Sequence, residues 1–137
     1  MSPGILINID VDDLERAIAF YTALLALKVG RRFGDVVVEL VGGAVPLYLL
    51  VKEAGTAASP ASAERRRYAR HWTPVHLDFV VPDVDKAVAA ALVIGATLDG
   101  PAATHSWGRI ARLADPFGNG FCLIQFLGRG YDEIATG

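Results

Sequence analysis

The chain has 137 residues, 53% hydrophobic and 20% charged, the profile of a folded domain with enough length to bury a real core. A formal net charge of −2, with one basic cluster (ERRRYAR, 64–70) that reads as a solvated helix or arm, argues against nucleic acid or a membrane surface as partner. One cysteine, Cys122, excludes an intramolecular disulfide framework, and neither a signal peptide nor a bilayer-length apolar run is visible, so a soluble cytoplasmic protein is expected.

The first predicted element is a strand. Ile5, Ile7, Ile9 and Val11 alternate with Leu6, Asn8 and Asp10, giving one apolar and one mixed face. A helix follows, capped by Asp12 or Asp13, with Glu15 placed for a capping box and a stripe of Leu14, Ala17, Ile18, Tyr21, Leu24 and Leu25. GRRFGDVVVELVGGAVPLYLLVKE then predicts a short strand around 28–33, a second strand, a Gly-Gly turn and a third strand. EAGTAASPASAERRRYARHW is Ala/Ser/Pro-rich and then basic, a linker with some helical character.

Beyond it, Val75, Leu77, Phe79 and Val81 alternate with His76, Asp78 and Val80 in a new strand. Asp83, after Pro82, caps a helix with Val84, Ala87, Val88 and Ala91 on one side. GRIARLADPFGNGFCLIQF repeats the strand and turn plan of the first half, so each module is expected to run strand, helix and three strands. In that turn Asp115 suits an Asx-turn, and Gly118, Asn119 and Gly120 tolerate left-handed backbone.

These halves repeat one another. LINIDVDDLERAIA from Leu6 and HLDFVVPDVDKAVA from His76 share Val11/Val81, Asp13/Asp83, Ala17/Ala87 and Ala19/Ala89. Leu14/Val84, Glu15/Asp85, Arg16/Lys86 and Ile18/Val88 keep their chemical type. The organisation expected is a single domain of two modules, about 4–53 and 74–127, with a linker at about 54–73.

DVDDLERAIAFYTALL, HLDFVVPDVDKAV and WGRIARLADPFGNGFCLIQF together resemble the vicinal oxygen chelate superfamily, the glyoxalase, bleomycin-resistance and extradiol-dioxygenase group. The resemblance implies an α+β fold of two tandem βαβββ modules forming a curved mixed sheet around a ligand cup. It also implies four cup-facing positions that hold metal in metal-using members. Here they are Leu6 and His76 on the first strands, and Tyr48 and Cys122 on the last. None is a carboxylate and Leu6 cannot coordinate. No cofactor is therefore expected; if a divalent metal binds, His76 and Cys122 are its ligands, with His71 or His105 as residues that could swing in.

Strand parity adds Asn8, Asp10 and Asp78 to the cup face, where the bland role is mutual hydrogen bonding and the functional one is ligand contact. His76 and Asp78 could form a general acid–base pair. Tyr48 and Trp107 offer a phenol and an aromatic wall, and Leu6, Leu50 and the Phe121 region offer apolar ones as ligand contacts. Arg109 and Arg112 have opposite parity, so at most one should face inward, where it would suit an anionic or carbonyl-bearing ligand. The function expected is binding of a small molecule without a tightly held metal, by a homodimer. The rivals are a lyase, isomerase or dioxygenase with an atypical metal site or His76/Asp78 chemistry, and a structural or regulatory dimerisation module.

Overall fold

In the computed structural model, which describes residues 2–137, the first half runs β1 (Ile7–Val11), α1 (Leu14–Leu25), β2 (Lys28–Phe33), β3 (Val37–Val41) and β4 (Leu47–Val51). The second half runs β5 (Leu77–Val80), α2 (Val84–Val93), β6 (Thr97–Leu98), β7 (Ala103–His105), β8 (Gly108–Ala114) and β9 (Gly120–Phe126), followed by a 3₁₀ turn at Gly130–Glu133. The chain folds as two compact units, the first reaching Ala69 and the second beginning at Arg70. Each contains one sheet and one helix, the α+β class implied by the resemblance. No helix among the described residues is long and apolar enough to cross a membrane.

Both sheets follow the same pairing rule. β1 runs parallel to β4 and the order is β1-β4-β3-β2; β5 runs parallel to β9 and the order is β5-β9-β8-β6. In each unit the first strand therefore docks on the last, which brings residues some forty positions apart side by side. The outer strand of the second unit is split. β6 pairs one end of β8 and β7 the other, because Asp99, Gly100 (φ +72°) and Pro101 turn the chain between them.

The helices start where the repeat places their caps. Asp13 accepts a hydrogen bond from the Arg16 N–H and Asp83 one from the Lys86 N–H, both at 3.1 Å. With Asp13 as the cap, Glu15 falls one residue short of the capping-box position, and its carboxylate pairs with Arg32 at 3.0 Å instead. Leu14, Ala17, Ile18 and Tyr21 of α1 are buried with Val11, Val38, Leu40, Leu47 and Leu49, the inward faces of β1, β3 and β4. The second unit buries Val84 and Ala91 of α2 with Ala111, Leu113, Phe121 and Leu123.

Residues 54–73 contain no helix, contrary to the partial helix expected there. Pro and Ser break the run, and the backbone instead makes turns and two isolated bridges, Ala57 with Arg65 and His71 with Asn119. The part up to Ala69 is tied to the first unit: the Tyr68 hydroxyl donates to the Val11 and Lys52 carbonyls, and Arg66 pairs with Asp10 at 2.8 Å.

Candidate functional site

The faces opposite the helices carry the polar groups, and the repeat arranges them in matching rows. In the first unit Asn8, Tyr48 and Glu39 are successive cross-strand neighbours on β1, β4 and β3. In the second unit Asp78, Cys122 and Arg112 occupy the same places on β5, β9 and β8. The row reaches Arg31 on β2 in the first unit and Asp99, whose N–H donates to the Arg112 carbonyl, in the second. The charges are reversed between the rows. Glu39 faces Arg31 in one, and Arg112 faces Asp99 in the other.

The first row is closed on itself. Arg31 donates from its backbone N–H and Nε to Glu39 Oε1, both at 3.1 Å, and from Nη2 to Oε2 at 2.7 Å; the Tyr48 hydroxyl donates to Oε2 at 2.9 Å. Gly30 makes room for this carboxylate, since a Cβ there would lie 2.6 Å from Glu39 Oε1. The Arg31 side chain first, its backbone N–H next and Tyr48 third hold the Glu39 carboxyl down at about 2. Because the folded value lies below the ordinary 4.5, the stabilisation is complete above that value and is lost as pH falls toward 2. Urea titrations of wild type and Glu39→Gln should therefore give a stability gap that is constant near neutrality and shrinks between about pH 4.5 and 2. A gap that stays level across that window would show that Glu39 is not held by its partners.

The second row is open. His76 Nε2 lies 3.3 Å from Asp78 Oδ1, and one donor atom from each of His76, Asp78 and Cys122 lies within 4.8 Å of the others. Cys122 is buried; burial first and the Asp78 carboxylate second push its thiol up to about 12, so it stays protonated and unreactive at neutral pH. Arg112 is exposed and feels the charge of Asp99, yet among the described residues its side chain makes no hydrogen bond or ion pair. The reason is Arg70, whose Nε donates to Asp99 Oδ2 at 3.1 Å and whose Nη2 makes a further bond to the same carboxylate. Arg70 holds the Asp99 carboxyl below the ordinary range, chiefly by that hydrogen bonding.

The donor set fits a metal in part. One imidazole, one carboxylate and one thiol suit a three-ligand zinc-type site with an open position, where the ion would act as a Lewis acid on a bound oxygen. The set is poor for oxygen-seeking ions such as Mn(II), which favour several carboxylates. Any metal must also displace the proton that burial and Asp78 keep on Cys122.

The sequence candidates are thus distributed unevenly. His76, Asp78, Cys122 and Arg112 come together on the open face of the second sheet. Arg109 lies on the opposite face, because its cross-strand neighbour is Gln125, which accepts from the first N–H of α2. There it pairs with Asp85 of α2 at 3.0 Å. Trp107 sits between β7 and β8, stacked on His105 at 5.4 Å and against Tyr131 at 5.2 Å, five residues and about 16 Å along the strand direction from Arg112. Leu6, Asn8, Asp10 and Tyr48 belong to the first unit, where Asp10 is paired with Arg66 and Tyr48 with Glu39. His71 joins the backbone of Asn119 in an isolated bridge and donates its N–H to the Gly118 carbonyl.

Five participants were not expected from the sequence: Arg70 reads only as part of a solvated basic run, and Asp99 carries no signal. Glu39 was signalled only as a charge inside an apolar run. Arg31 and Trp72, which lies against His76 with ring centroids 4.7 Å apart, carried no signal that distinguishes them from surface residues.

A family model described as the glyoxalase-like domain matches residues 6–124. No curated protein matches the chain. Among solved structures, a glyoxalase/bleomycin resistance protein/dioxygenase family enzyme from Burkholderia phytofirmans PsJN is 21% identical, with 89% of this chain and 97% of that one covered and a TM-score of 0.66. A glyoxalase/bleomycin resistance protein/dioxygenase from Nocardioides is 22% identical over 95% of this chain and 87% of its own, with a TM-score of 0.65. A mutant of the genomically encoded fosfomycin resistance protein FosX from Listeria monocytogenes, complexed with Mn(II) and 1S,2S-dihydroxypropylphosphonic acid, is 16% identical over 98% and 100%, with a TM-score of 0.73. At these identities the likeness is one of fold.

Proposed function

The chain belongs to the glyoxalase-like domain family, and we propose that it binds a small anionic or carbonyl-bearing molecule on the open face of its second sheet, without a tightly held metal. The observation that carries this reading is Arg112: an exposed guanidinium on the same face as His76, Asp78 and Cys122, with Asp99 drawn away by Arg70. His76 supplies a second donor and Asp78 an acceptor, so a ligand bearing both an anionic and a hydroxyl group would find partners for each. The FosX neighbour, which holds a phosphonate, is compatible with an anion as the ligand on this fold.

Calorimetric titration with a panel of small carboxylates and phosphonates, each beside its neutral amide or ester, tests the reading. The anions should bind at least about ten-fold more tightly than their neutral counterparts. Equal affinity for both, or no binding by either, would remove the role given to Arg112.

A second reading is favoured by the approach of three donor atoms to within 4.8 Å: a zinc-type centre formed by His76, Asp78 and Cys122, supporting lyase, isomerase or dioxygenase chemistry. Elemental analysis of tag-free protein, as purified and after incubation with Zn(II) or Mn(II) and desalting, separates the two. The first reading expects far less than one metal per chain; near-stoichiometric zinc that disappears in His76→Ala would establish the second.

A further inference from the structure

We propose that Trp72 is the stacking wall of this site, and that the ligand is accordingly a planar anion such as an aromatic carboxylate. The inference deepens the preceding reading and rests on it. Trp72 lies in the Ala/Ser/Pro-rich and basic stretch that links the two halves of the repeat, yet it is built into the second unit. The backbone is fixed one residue earlier, where the His71 N–H donates to the Gly118 carbonyl. The indole then lies directly over Gly120, at the start of β9 and on the same face as Cys122. A Cβ at position 120 would come within 2.1 Å of Trp72 Cε3 and 2.6 Å of Cζ3, so the glycine is the seat of the ring.

The ring is held on two further sides. The Arg70 guanidinium lies 5.6 Å from its centroid, and the His76 imidazole packs at 4.7 Å with a 39° tilt. Despite these contacts Trp72 remains 41% exposed. Arg70 therefore does two things: it supports Trp72 and it engages Asp99, which frees Arg112. A positioned indole beside an unpaired guanidinium recognises a flat ligand through its π-face and its acid group through a forked pair of hydrogen bonds. A flexible or saturated anion would use only the second.

The test compares 2-naphthoate with cyclohexanecarboxylate, which carries the same charge without a planar ring, by calorimetric titration of the full chain. Wild type should bind 2-naphthoate more tightly. Trp72→Ala should weaken 2-naphthoate about ten-fold or more and change cyclohexanecarboxylate less than about three-fold, whereas Trp72→Phe should restore most of the naphthoate affinity. Gly120→Ala, which displaces the ring without removing it, should reproduce the Trp72→Ala pattern; thermal melts of each variant confirm that the unit is folded. If wild type binds both carboxylates and Trp72→Ala alters neither, or both equally, the stacking role is overturned while the anion site stands. If wild type binds neither carboxylate, the anion site and the stacking wall fall together.

Discussion

Arg112→Ala should weaken binding of small carboxylates and phosphonates by about ten-fold to a hundred-fold, the loss of one charge-assisted interaction worth roughly 1.5–3 kcal/mol. The side chain is exposed and makes no hydrogen bond or ion pair among the described residues, so its removal should leave the urea midpoint almost unchanged. Arg112→Lys keeps the charge but not the planar fork, and should fall between wild type and alanine. Arg109→Ala is the control. Arg109 lies three residues away in sequence but on the helix face, paired with Asp85, so its loss should leave anion affinity intact. Calorimetry on the three variants checks the set; equal losses for Arg109→Ala and Arg112→Ala would show that general positive charge, rather than a built site, attracts the ligand.

The second large effect is on stability. Asp115 is buried, and its Oδ1 accepts the N–H groups of Phe117 and Asn119 while Oδ2 accepts the Asn119 side-chain amide, all at 2.9 Å. Asp115→Ala would strip partners from donors packed around the fully buried Phe117, and should cost about 2–4 kcal/mol. Asp115→Asn retains an oxygen for the two backbone donors and should cost roughly half as much. The turn also sets the register of β8 against β9 that places Arg112 opposite Cys122, so the loss should lower ligand affinity as well. Urea unfolding followed by circular dichroism measures it; an Asp115→Ala protein within about 0.5 kcal/mol of wild type would show that the turn is held by its glycines alone.

The fold was legible where the local chemistry was redundant. Alternation over Ile5–Val11 and Val75–Val81 gave two strands, and Asp13 and Asp83 gave two helix starts at equivalent places in the repeat. The hairpin of ADPFGNG followed from Asp115 and its glycines, and the carboxylate does form the Asx-type bonds that such a turn requires. The site was legible only along single strands. His76 and Asp78 share a face because they stand two residues apart, which parity reveals. Glu39 meets Tyr48 only through the pairing of β3 with β4, and Arg112 is left without a partner only because Arg70, distant in sequence, takes Asp99. Trp72 was hidden for a different reason: composition marked its surroundings as linker, whereas Gly120 gives the ring a seat that no local pattern announces. Charge pairing between remote strands is a property of topology, and periodicity alone does not encode it.

Heteronuclear NMR maps the ligand-contacting face directly, by titration of ¹⁵N-labelled protein with 2-naphthoate. Saturable shifts are expected, confined to the backbone signals of His76, Asp78, Arg112, Gly120 and Cys122, the Trp72 indole N–H and the Arg112 guanidinium. Shifts concentrated on the helix faces or on the Arg31–Glu39–Tyr48 row, or no saturable shift at all, would contradict this placement of the ligand.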